Sequence, residues 1–357
     1  MKSDYKKITF VLPGFISIPM GGVKVVNRLA ELLSQREYTV TLVYTMELQS
    51  GIVQKIKSII KKYLDKKQNV KKSLYYIPGN NVNAIVVKEI SEKYIPTADY
   101  IVAVGWQTAN RVFGLSESKG NKYYFLQSYE TYFYNYQKVR DTYKLKMDKI
   151  AISHWVQEEI EKIGSNALGP VGNSINPAEF YVEDGIQKET DVVMLYHPAK
   201  IKNAPFGLAI LKNLKKRNKN FKAIMFSARQ PLHKIPDWIK VIVRPDIETL
   251  RRIYNRSKIY LNTSKWEGWG LTPMEAMACG CGIVAVKNKG IVEYLKNDKN
   301  SFIINPKDKQ KAIQKIEELL KNELMRNMFI MEAHKTLQKF NEQEMVSKFE
   351  NCLKGNK

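Results

Sequence analysis

The segment Ser264-Lys-Trp-Glu-Gly-Trp-Gly-Leu-Thr-Pro-Met-Glu-Ala-Met-Ala-Cys-Gly-Cys-Gly282 decides the fold and the kind of site that this chain carries. It follows an apolar run typical of a buried strand, Ile259–Leu261. Its glycine-rich turn leads into a predicted helix with Pro273 at the start, a position that tolerates proline. The amides of residues 270–272 would then point out of a helix N-terminus, which favours an anion.

Two carboxylates, Glu267 and Glu275, bracket this predicted anion site. A carboxylate beside a phosphate is repulsive unless it does something else, such as accepting hydrogen bonds from sugar hydroxyls. The alternative is that Glu267 is a solvated loop residue and Glu275 an ordinary charge near a helix N-terminus. Amides and carboxylates together favour a site for a nucleotide-linked sugar.

Strand and helix patterns alternate on both sides of this segment. Near the start, an apolar strand at Ile8–Leu12, a loop from Pro13 to Gly22, an amphipathic helix and a strand at Val40–Tyr44 form a βαβ unit. The other predicted strands are Ala84–Val87, Tyr100–Val104, Tyr123–Leu126, Val192–Tyr196, Phe221–Phe226, Val241–Val243, Ile259–Leu261 and Ile283–Val286. The pattern predicts an α/β fold with parallel sheets.

The length of 357 residues is enough for two domains. We predict a first Rossmann-like domain over residues 1–170 and a second over residues 171–335. A helical end, residues 336–357, is expected to pack back across both domains. Because ligands of open α/β sheets bind beyond the carboxyl ends of the strands, the two doubly wound domains should face a cleft.

The composition restricts the function classes. The net charge of +23 favours polyanionic partners, but no nucleic-acid-binding motif occurs, so nucleic acid is not expected as a partner. The three cysteines are interpreted as packing residues, because their number and spacing fit neither a disulfide framework nor a zinc site. Without a long apolar run or a signal-peptide pattern, the chain is expected in the cytoplasm.

The form Glu-Gly-Trp-Gly-Leu-Thr-Pro-Met-Glu-Ala-Met-Ala-Cys-Gly resembles the E-x7-E motif of retaining glycosyltransferases of family four, which have the GT-B fold. Four weaker resemblances lie elsewhere in the chain. Gly21-Gly22 resembles the N-terminal glycine loop of the family, Val171–Phe180 its interdomain segment and Gly290–Glu293 a later motif. The stretch Tyr124–Phe133 is similar to a rhamnosyltransferase-like branch.

The resemblance implies a role for each matching residue. Glu267 is the catalytic candidate, which would contact the transferred sugar, and Glu275 would bind the ribose. The implied donor-binding residues are Gly22, Lys200, Lys202, Arg244, Gly268, Gly270, Leu271, Thr272 and Glu275. The implied partners are a nucleotide-sugar donor and a glycan or glycoconjugate acceptor.

The chain departs from the family where an arginine and a lysine normally neutralise the donor diphosphate. The matching stretch, Tyr196–Gly207, has no arginine. Lys202 is interpreted as the family lysine and Lys200 as a substitute for the arginine, although a lysine cannot form the bidentate fork of an arginine. His197 could also face the phosphates. The alternative is that these lysines are surface charges in a very basic protein.

A second departure concerns the acceptor side. Many relatives place a histidine after a central strand of the N-terminal domain, where this chain has Gln127. Gly21, Gln127 and His154 are therefore the acceptor-side candidates, with a capping or packing role as the alternative for His154. The departure leaves the donor sugar open.

The resemblance implies catalysis without a metal or another cofactor. In the family's retaining reaction, the leaving phosphate is thought to accept the proton of the acceptor. Positioning and electrostatic stabilisation would then supply most of the rate. The sequence agrees, because it has no Asp-x-Asp pair and no cluster with metal-ligand spacing.

Two further segments carry an open choice. Residues 51–72 hold eight lysines between apolar residues at helical spacing. They fit an anionic membrane surface, at the inner face of the cell membrane, as well as an ordinary solvated helix. The tyrosine-rich stretch Tyr123–Tyr143 fits an acceptor groove as well as core packing.

The predicted function is retaining transfer of a sugar from a nucleotide donor, in the synthesis of a cell-surface polysaccharide or glycoconjugate. Two alternatives remain open. A nucleotide-sugar epimerase would share the fold, but it needs additional acid and base groups. The chain has only four histidines to supply them, which disfavours an epimerase. A non-catalytic GT-B partner subunit would explain the two departures, although the presence of both Glu267 and Glu275 favours an active enzyme.

Overall fold

The chain forms two α/β units, each built on its own parallel sheet. Unit 1 comprises Met1–Gly172 and Met345–Lys357, and unit 2 comprises Asn173–Glu344. The computed structural model describes residues 5–14, 20–46, 76, 78–132, 135–232 and 234–355. The predicted membrane segment 51–72 lies outside the described residues.

Unit 1 places its strands in the order β3-β2-β1-β4-β5-β6, and every pair is parallel. Its described strands are β1 (Lys6–Leu12), β2 (Tyr38–Thr45), β3 (Val82–Val87), β4 (Tyr100–Val104), β5 (Asn121–Leu126) and β6 (Asp148–Ala151). Its described helices include α1 (Gly21–Ser34), α2 (Trp106–Phe113), α3 (Tyr136–Tyr143) and α4 (His154–Glu161). The chain leaves β1 toward β2 on one side and β4 toward β5 on the other, so the topological switch point lies between β1 and β4.

Unit 2 repeats this plan with the order β12-β11-β10-β7-β8-β9, again with parallel pairs throughout. Its described strands are β7 (Thr190–Tyr196), β8 (Ala223–Ser227), β9 (Ile239–Val243), β10 (Ser257–Asn262), β11 (Gly282–Val286) and β12 (Phe302–Ile304). Its helices include α5 (Ala204–Arg217), α6 (Ile247–Asn255), α7 (Leu271–Ala278), α8 (Lys309–Lys321) and α9 (Glu323–Leu337). The switch point of unit 2 lies between β7 and β10.

Burial explains why both sheets are parallel and central. The strands β4 and β11 are buried along their whole length, as expected for strands covered by helices on both faces. In unit 2, helices α5 and α8 cover one face with Leu208, Ile210, Leu211, Ile313 and Ile316. Two doubly wound parallel sheets confirm the predicted α/β fold class.

The last helix, α10 (Glu342–Leu353), supplies core residues to unit 1 from Met345 onward. The ring of Phe349 is fully buried, with its centroid 5.8 Å from that of Phe10 and 5.5 Å from that of Phe125. The hydroxyl of Tyr123 donates a hydrogen bond to the carbonyl oxygen of Leu353 at 2.9 Å. The end of the chain is therefore an integral part of the first sheet's packing.

Three differences from the sequence prediction are small in extent. The edge strands β6 and β12 were not predicted, because runs of four and three residues are too short to show a period. Helix α7 begins at Leu271, two residues before Pro273.

Within the described part of the chain, no helix is both long and apolar enough to cross a membrane.

Candidate active site

An ion pair spans the switch point of unit 2. The loop after β7 carries Lys202, and the loop after β10 carries Glu267. The Nζ atom of Lys202 donates to Oε1 of Glu267 at 2.6 Å, and the two side chains are 22% and 13% exposed. The structure thus brings together the lysine and the carboxylate that the sequence assigned to diphosphate and sugar.

Backbone hydrogen bonds hold these two loops together. The amide of Lys265 donates to the carbonyl oxygen of Ile201 at 2.7 Å. The hydroxyl of Thr263 donates to the carbonyl oxygen of Lys202 at 2.8 Å. The positions of Lys202 and Glu267 are therefore fixed by the main chain, which is how a preorganised site is built.

The turn after β11 supports Glu267 from another direction. A Cβ atom at Gly290 would lie 2.6 Å from the carbonyl oxygen of Glu267, so only glycine allows this approach. The side chain of Asn288 is buried. Its Nδ2 atom donates to the carbonyl oxygen of Ser264 at 3.0 Å, and its Oδ1 atom accepts from the backbone amide of Gly290 at 3.1 Å. Asn288 thereby ties the loop that carries Glu267 to the turn that packs against it.

Helix α7 begins beside this loop with open backbone amides. Gly270 precedes the helix with φ of 94°, a conformation that favours glycine, and no side chain caps the helix. The hydroxyl of Tyr294 donates to Gly270 O, and the hydroxyl of Tyr260 donates to Oγ1 of Thr272 at 2.8 Å. The first amides of a helix lack partners within it, so the amides of residues 270–272 lie where an anion could bind, and the anion site itself stays a prediction.

Aromatic rings form the support beneath the turn. Trp269 is stacked on Tyr294 with ring centroids 5.8 Å apart, and Phe340 meets Trp269 edge-on at 5.4 Å. The indole nitrogen of Trp269 donates to the sulfur of Met274 at 2.8 Å. Gly268 and Gly270 therefore flank a buried anchor, whose role was not predicted from the sequence.

Glu275 lies one turn into α7 and is only 4% exposed. The hydroxyl of Tyr254 donates to Oε2 of Glu275 at 3.3 Å. Burial is the main cause that raises the pKa of Tyr260 and Tyr294, and the charges of Glu267 and Glu275 raise both further. The two tyrosines thus lie close to both glutamates and remain neutral hydrogen-bond donors at neutral pH.

Cationic groups surround the ion pair unevenly. Burial lowers the pKa of His197, and the charges of Lys202 and Arg229 lower it further, while Glu267 opposes them. Lys200 is exposed in the short 3₁₀ turn that also contains Lys202. Arg229, just after β8, was not among the predicted donor-binding residues, although an arginine that follows a predicted strand is a visible signal.

Arg244 lies further along the same edge of the sheet. It follows β9 with φ of 52°, and its amide donates to the carbonyl oxygen of Ser227 at 2.7 Å. Its side chain is exposed. Since β9 is two strands away from β7 in the sheet order, a role at the nucleotide base stays a prediction for Arg244.

The acceptor-side candidates lie in unit 1. A Cβ atom at Gly22 would be 3.1 Å from Oε1 of Gln127, so the start of α1 and the end of β5 are in close contact. Gly21 is the first residue of α1. His154 is the exposed first residue of α4. The structure therefore groups Gly21, Gly22 and Gln127, and an exposed position alone does not decide the role of His154.

Two further predictions, the role of the cysteines and the lack of a metal site, can be compared with the described residues. Cys279, Cys281 and Cys352 are buried free thiols, and burial raises the pKa of each, as in packing residues. Within the described ranges, no group of three or more histidine, cysteine or acidic side chains is arranged to hold a metal ion.

Residues 208–336 match the family model of group 1 glycosyl transferases. The sucrose synthase of Melioribacter roseus is 34% identical over 87 residues, which are 24% of this chain and 11% of that protein. The chain thus spans about a tenth of the length of this curated relative. The matched family segment contains Glu267 and Glu275. Lys202 and both parts of unit 1 lie outside it.

Solved GT-B structures resemble the whole chain. TarM has a TM-score of 0.75 at 12% identity, with 99% of each chain covered. HepE of Anabaena, in complex with UDP-glucose, has a TM-score of 0.72 at 16% identity, with 98% of this chain and 100% of that chain covered. The sucrose-phosphate synthase of Thermosynechococcus elongatus has 0.73 at 13% identity, with 98% of each covered. At these identities the likeness establishes the fold, which is GT-B.

Proposed function

We propose that the chain is a retaining glycosyltransferase of family four that takes a sugar from a nucleoside diphosphate. The observation that carries this proposal is the Lys202–Glu267 ion pair at the switch point, beside the uncapped start of α7. A cation and free amides suit a diphosphate, and a fixed carboxylate suits sugar hydroxyls. The family match over residues 208–336 supports the same assignment.

The proposed donor is a uridine diphosphate sugar. HepE is described in complex with UDP-glucose, and TarM and the pneumococcal O-GlcNAc transferase GtfA in complexes that contain UDP. In this chain, the amides of residues 270–272 would hold the distal phosphate, and Glu275 would accept hydrogen bonds from the ribose. Lys202 would exchange its contact with Glu267 for one with the diphosphate.

Catalysis in this proposal needs no metal ion. As the bond between the sugar and the phosphate breaks, negative charge grows on the diphosphate, where Lys202 and the helix amides stabilise it. Lys200 and Arg229 would add positive charge from the same edge of the sheet. The leaving phosphate would accept the proton of the attacking hydroxyl on the same face of the sugar, which retains the anomeric configuration.

The proposed acceptor is a glycan or glycoconjugate of the cell surface, reached from the inner face of the cell membrane through residues 51–72. The support for this part is the alternation of lysines with apolar residues in that segment. Co-sedimentation with vesicles should increase with the anionic lipid fraction and decrease with salt. Binding that is independent of both would contradict the membrane proposal.

Ligand-induced stabilisation tests the donor assignment. We expect UDP to raise the melting temperature more than GDP, dTDP or ADP, because a ligand that binds only the folded state stabilises it by mass action. The shift should persist in EDTA if no metal is needed. NMR of the product from a UDP-sugar should then show the anomeric configuration of the donor. A product with inverted anomeric configuration would overturn the retaining mechanism. A thermal shift that EDTA abolishes would overturn the independence from a metal ion.

A further inference from the structure

Glu130 brings a carboxyl group to the switch point of unit 1. It belongs to the chain after β5, and it reaches the start of α2, which follows β4. A Cβ atom at Gly105 would lie 3.6 Å from Oε1 of Glu130 and 3.4 Å from Cγ of Pro13, the residue after β1. The carboxyl group therefore lies at the crevice between β1 and β4, where doubly wound sheets bind ligands.

Both hydrogen bonds that described residues donate to this carboxyl group go to one of its two oxygens. The Oε2 atom accepts from the amide of Trp106 and from the hydroxyl of Tyr124, each at 2.9 Å. No described residue donates a hydrogen bond to Oε1. The hydroxyl of Tyr143 accepts from the Glu130 amide at 2.8 Å and so fixes the main chain as well. The side chain is held in place, and Oε1 has no donor among the residues that the structure describes.

The residue next to Oε1 on the start of α2, Gly105, has no side chain of its own. Gly105 has φ of 87°, a conformation that favours glycine. A side chain at this position would crowd Oε1 of Gln107, 2.9 Å away, and would come within contact distance of Oε1 of Glu130. The glycine thus adds no atom of its own over this oxygen.

Capping of α2 does not by itself explain a carboxylate at position 130. A glutamine oxygen would accept the same two hydrogen bonds without the cost of burying a charge. Burial raises the pKa of Glu130 to about 7, and hydrogen bonds from Tyr124 and Trp106 oppose that shift. Among the described residues, the titratable groups that face it are Tyr124 on β5 and Tyr143 on α3. An acid retained at this cost suits a ligand that needs the charge.

We propose that the Glu130 carboxylate binds, through Oε1, a hydroxyl of the acceptor sugar other than the attacking hydroxyl, whose proton goes to the leaving phosphate. This inference rests on the transferase function proposed above and deepens it by naming an acceptor-side residue. A carboxylate that accepts a hydrogen bond from this hydroxyl orients the acceptor sugar, whereas an uncharged amide at the same place binds the hydroxyl more weakly. Gln127, three residues earlier and beside Gly22, offers an adjacent amide to the same sugar.

The test compares Glu130→Gln with the matched control Glu92→Gln. Glu92 also accepts hydrogen bonds from a backbone amide and a hydroxyl, both of Ser116, but it lies away from the carboxyl edge. The probes are UDP-glucose as donor and a panel of methyl glycosides as acceptors. We expect Glu130→Gln to lower kcat/KM for the acceptor at least about tenfold, with UDP binding unchanged and Glu92→Gln like the wild type.

The pH profile separates binding from a structural role. In the wild type, kcat/KM for the acceptor should rise with pH and level off above about 7, because the ionised carboxylate is the acceptor of the hydrogen bond. The Glu130→Gln profile should lack this step. An unchanged acceptor kcat/KM and an unchanged profile in Glu130→Gln would overturn the assignment.

A second measurement does not depend on turnover. In protein with ¹³C-labelled glutamate, the carboxyl signal of Glu130 is identified by its loss in Glu130→Gln and followed as methyl glycosides are added. A shift of that signal supports hydroxyl binding even if UDP-glucose proves not to be a donor. No shift with any glycoside overturns it. Absence of turnover with every UDP-sugar would instead contradict the proposed function.

Discussion

At the switch point of unit 2, a lysine holds the carboxylate of Glu267, whereas at the switch point of unit 1 a hydroxyl and a backbone amide hold the carboxyl group of Glu130. The two sheets share their topology, with the first strand of each unit next to the fourth. The identical plan places a carboxyl group at the same edge in both units. The loops decide which groups neutralise it.

The groups around Glu267 and Glu130 predict that the two sites favour ligands of different charge. Near Glu267, the positive charges of Lys202 and Arg229 are already present before a ligand arrives, so an anion meets a prepared site. Near Glu130, burial raises the pKa of the carboxyl group and no described residue forms a salt bridge with it, so this site suits an uncharged hydroxyl better than an anion. Under the proposed function, the charged ligand is therefore expected at unit 2 and the uncharged ligand at unit 1.

The largest effect should come from removing the charge of Glu267. Glu267→Gln is expected to lower kcat about 100- to 1000-fold, because a fixed charge at the reaction centre contributes most in the transition state. Steady-state measurements of UDP release from a UDP-sugar would show it. The control Glu248→Gln removes an exposed carboxylate paired with Arg252 at 2.8 Å and should leave kcat unchanged. Full activity of Glu267→Gln would remove the basis for the assignment to unit 2.

Lys202→Met tests whether the ion pair marks the diphosphate site. The affinity for UDP should fall roughly 10- to 100-fold, since a hydrogen bond between charged groups is lost. Isothermal titration with UDP measures this directly. Lys258→Met is the matched control, because Lys258 pairs with Asp191 at 2.9 Å at the opposite end of the same two strands. If both variants lose affinity equally, the ion pair at the carboxyl edge has no special role.

Gly290→Ala tests how strictly the backbone positions Glu267. A Cβ atom 2.6 Å from the carbonyl oxygen of Glu267 must displace that loop, at a cost of about 1–3 kcal/mol in stability. We expect a lower melting temperature and reduced kcat with the same variant. Gly114→Ala is the control in unit 1, because its Cβ atom would have 3.5 Å to the nearest atom and φ is −75°. A fully active, stable Gly290→Ala would show that the loop tolerates displacement.

The sequence predicted those parts of the site that lie close together along the chain. Glu267, the amides of residues 270–272 and Glu275 occupy nine consecutive positions, and one strand–turn–helix pattern describes them all. The structure places Lys202 in an ion pair with Glu267, whereas the roles of Lys202 as the family lysine and of Lys200 as a substitute for the arginine stay predictions. A local pattern was sufficient to predict this strand, turn and helix because the three are adjacent along the chain.

Contacts between distant segments were beyond such a prediction. Glu130 lies in the tyrosine-rich stretch Tyr123–Tyr143, but its position at the switch point depends on a hydrogen bond from Trp106, which lies 24 residues away. Asn288 gains its role from Ser264, also 24 residues away. Hydrophobic periodicity reports which face of an element is buried, and it contains no information about which loop a polar side chain will meet.

The smallest expected effect concerns stability against pH, and it contrasts two carboxyl groups within unit 1. The pKa of Glu130 is raised from 4.5 to about 7, so the folded state binds its proton more tightly than the unfolded chain. Its contribution to stability is present below about pH 4.5 and is lost as the pH rises through about 7. Glu130→Gln should therefore match the wild type near pH 4.5 and exceed its stability near pH 8, by about 1–2 kcal/mol after allowance for solvent screening.

Glu92→Gln should behave in the opposite direction. The backbone amide of Ser116 is the largest cause that lowers the pKa of Glu92, so its carboxylate stabilises the fold above its unfolded pKa, and that contribution is lost in acid. The glutamine variant should be less stable than the wild type near pH 8 and equal to it in acid. Hydrogen exchange of unit 1 amides at both pH values measures the two variants side by side. A parallel response of both would mean that Glu130 is solvated like Glu92, and the contrast between the two switch points would then lose its physical basis.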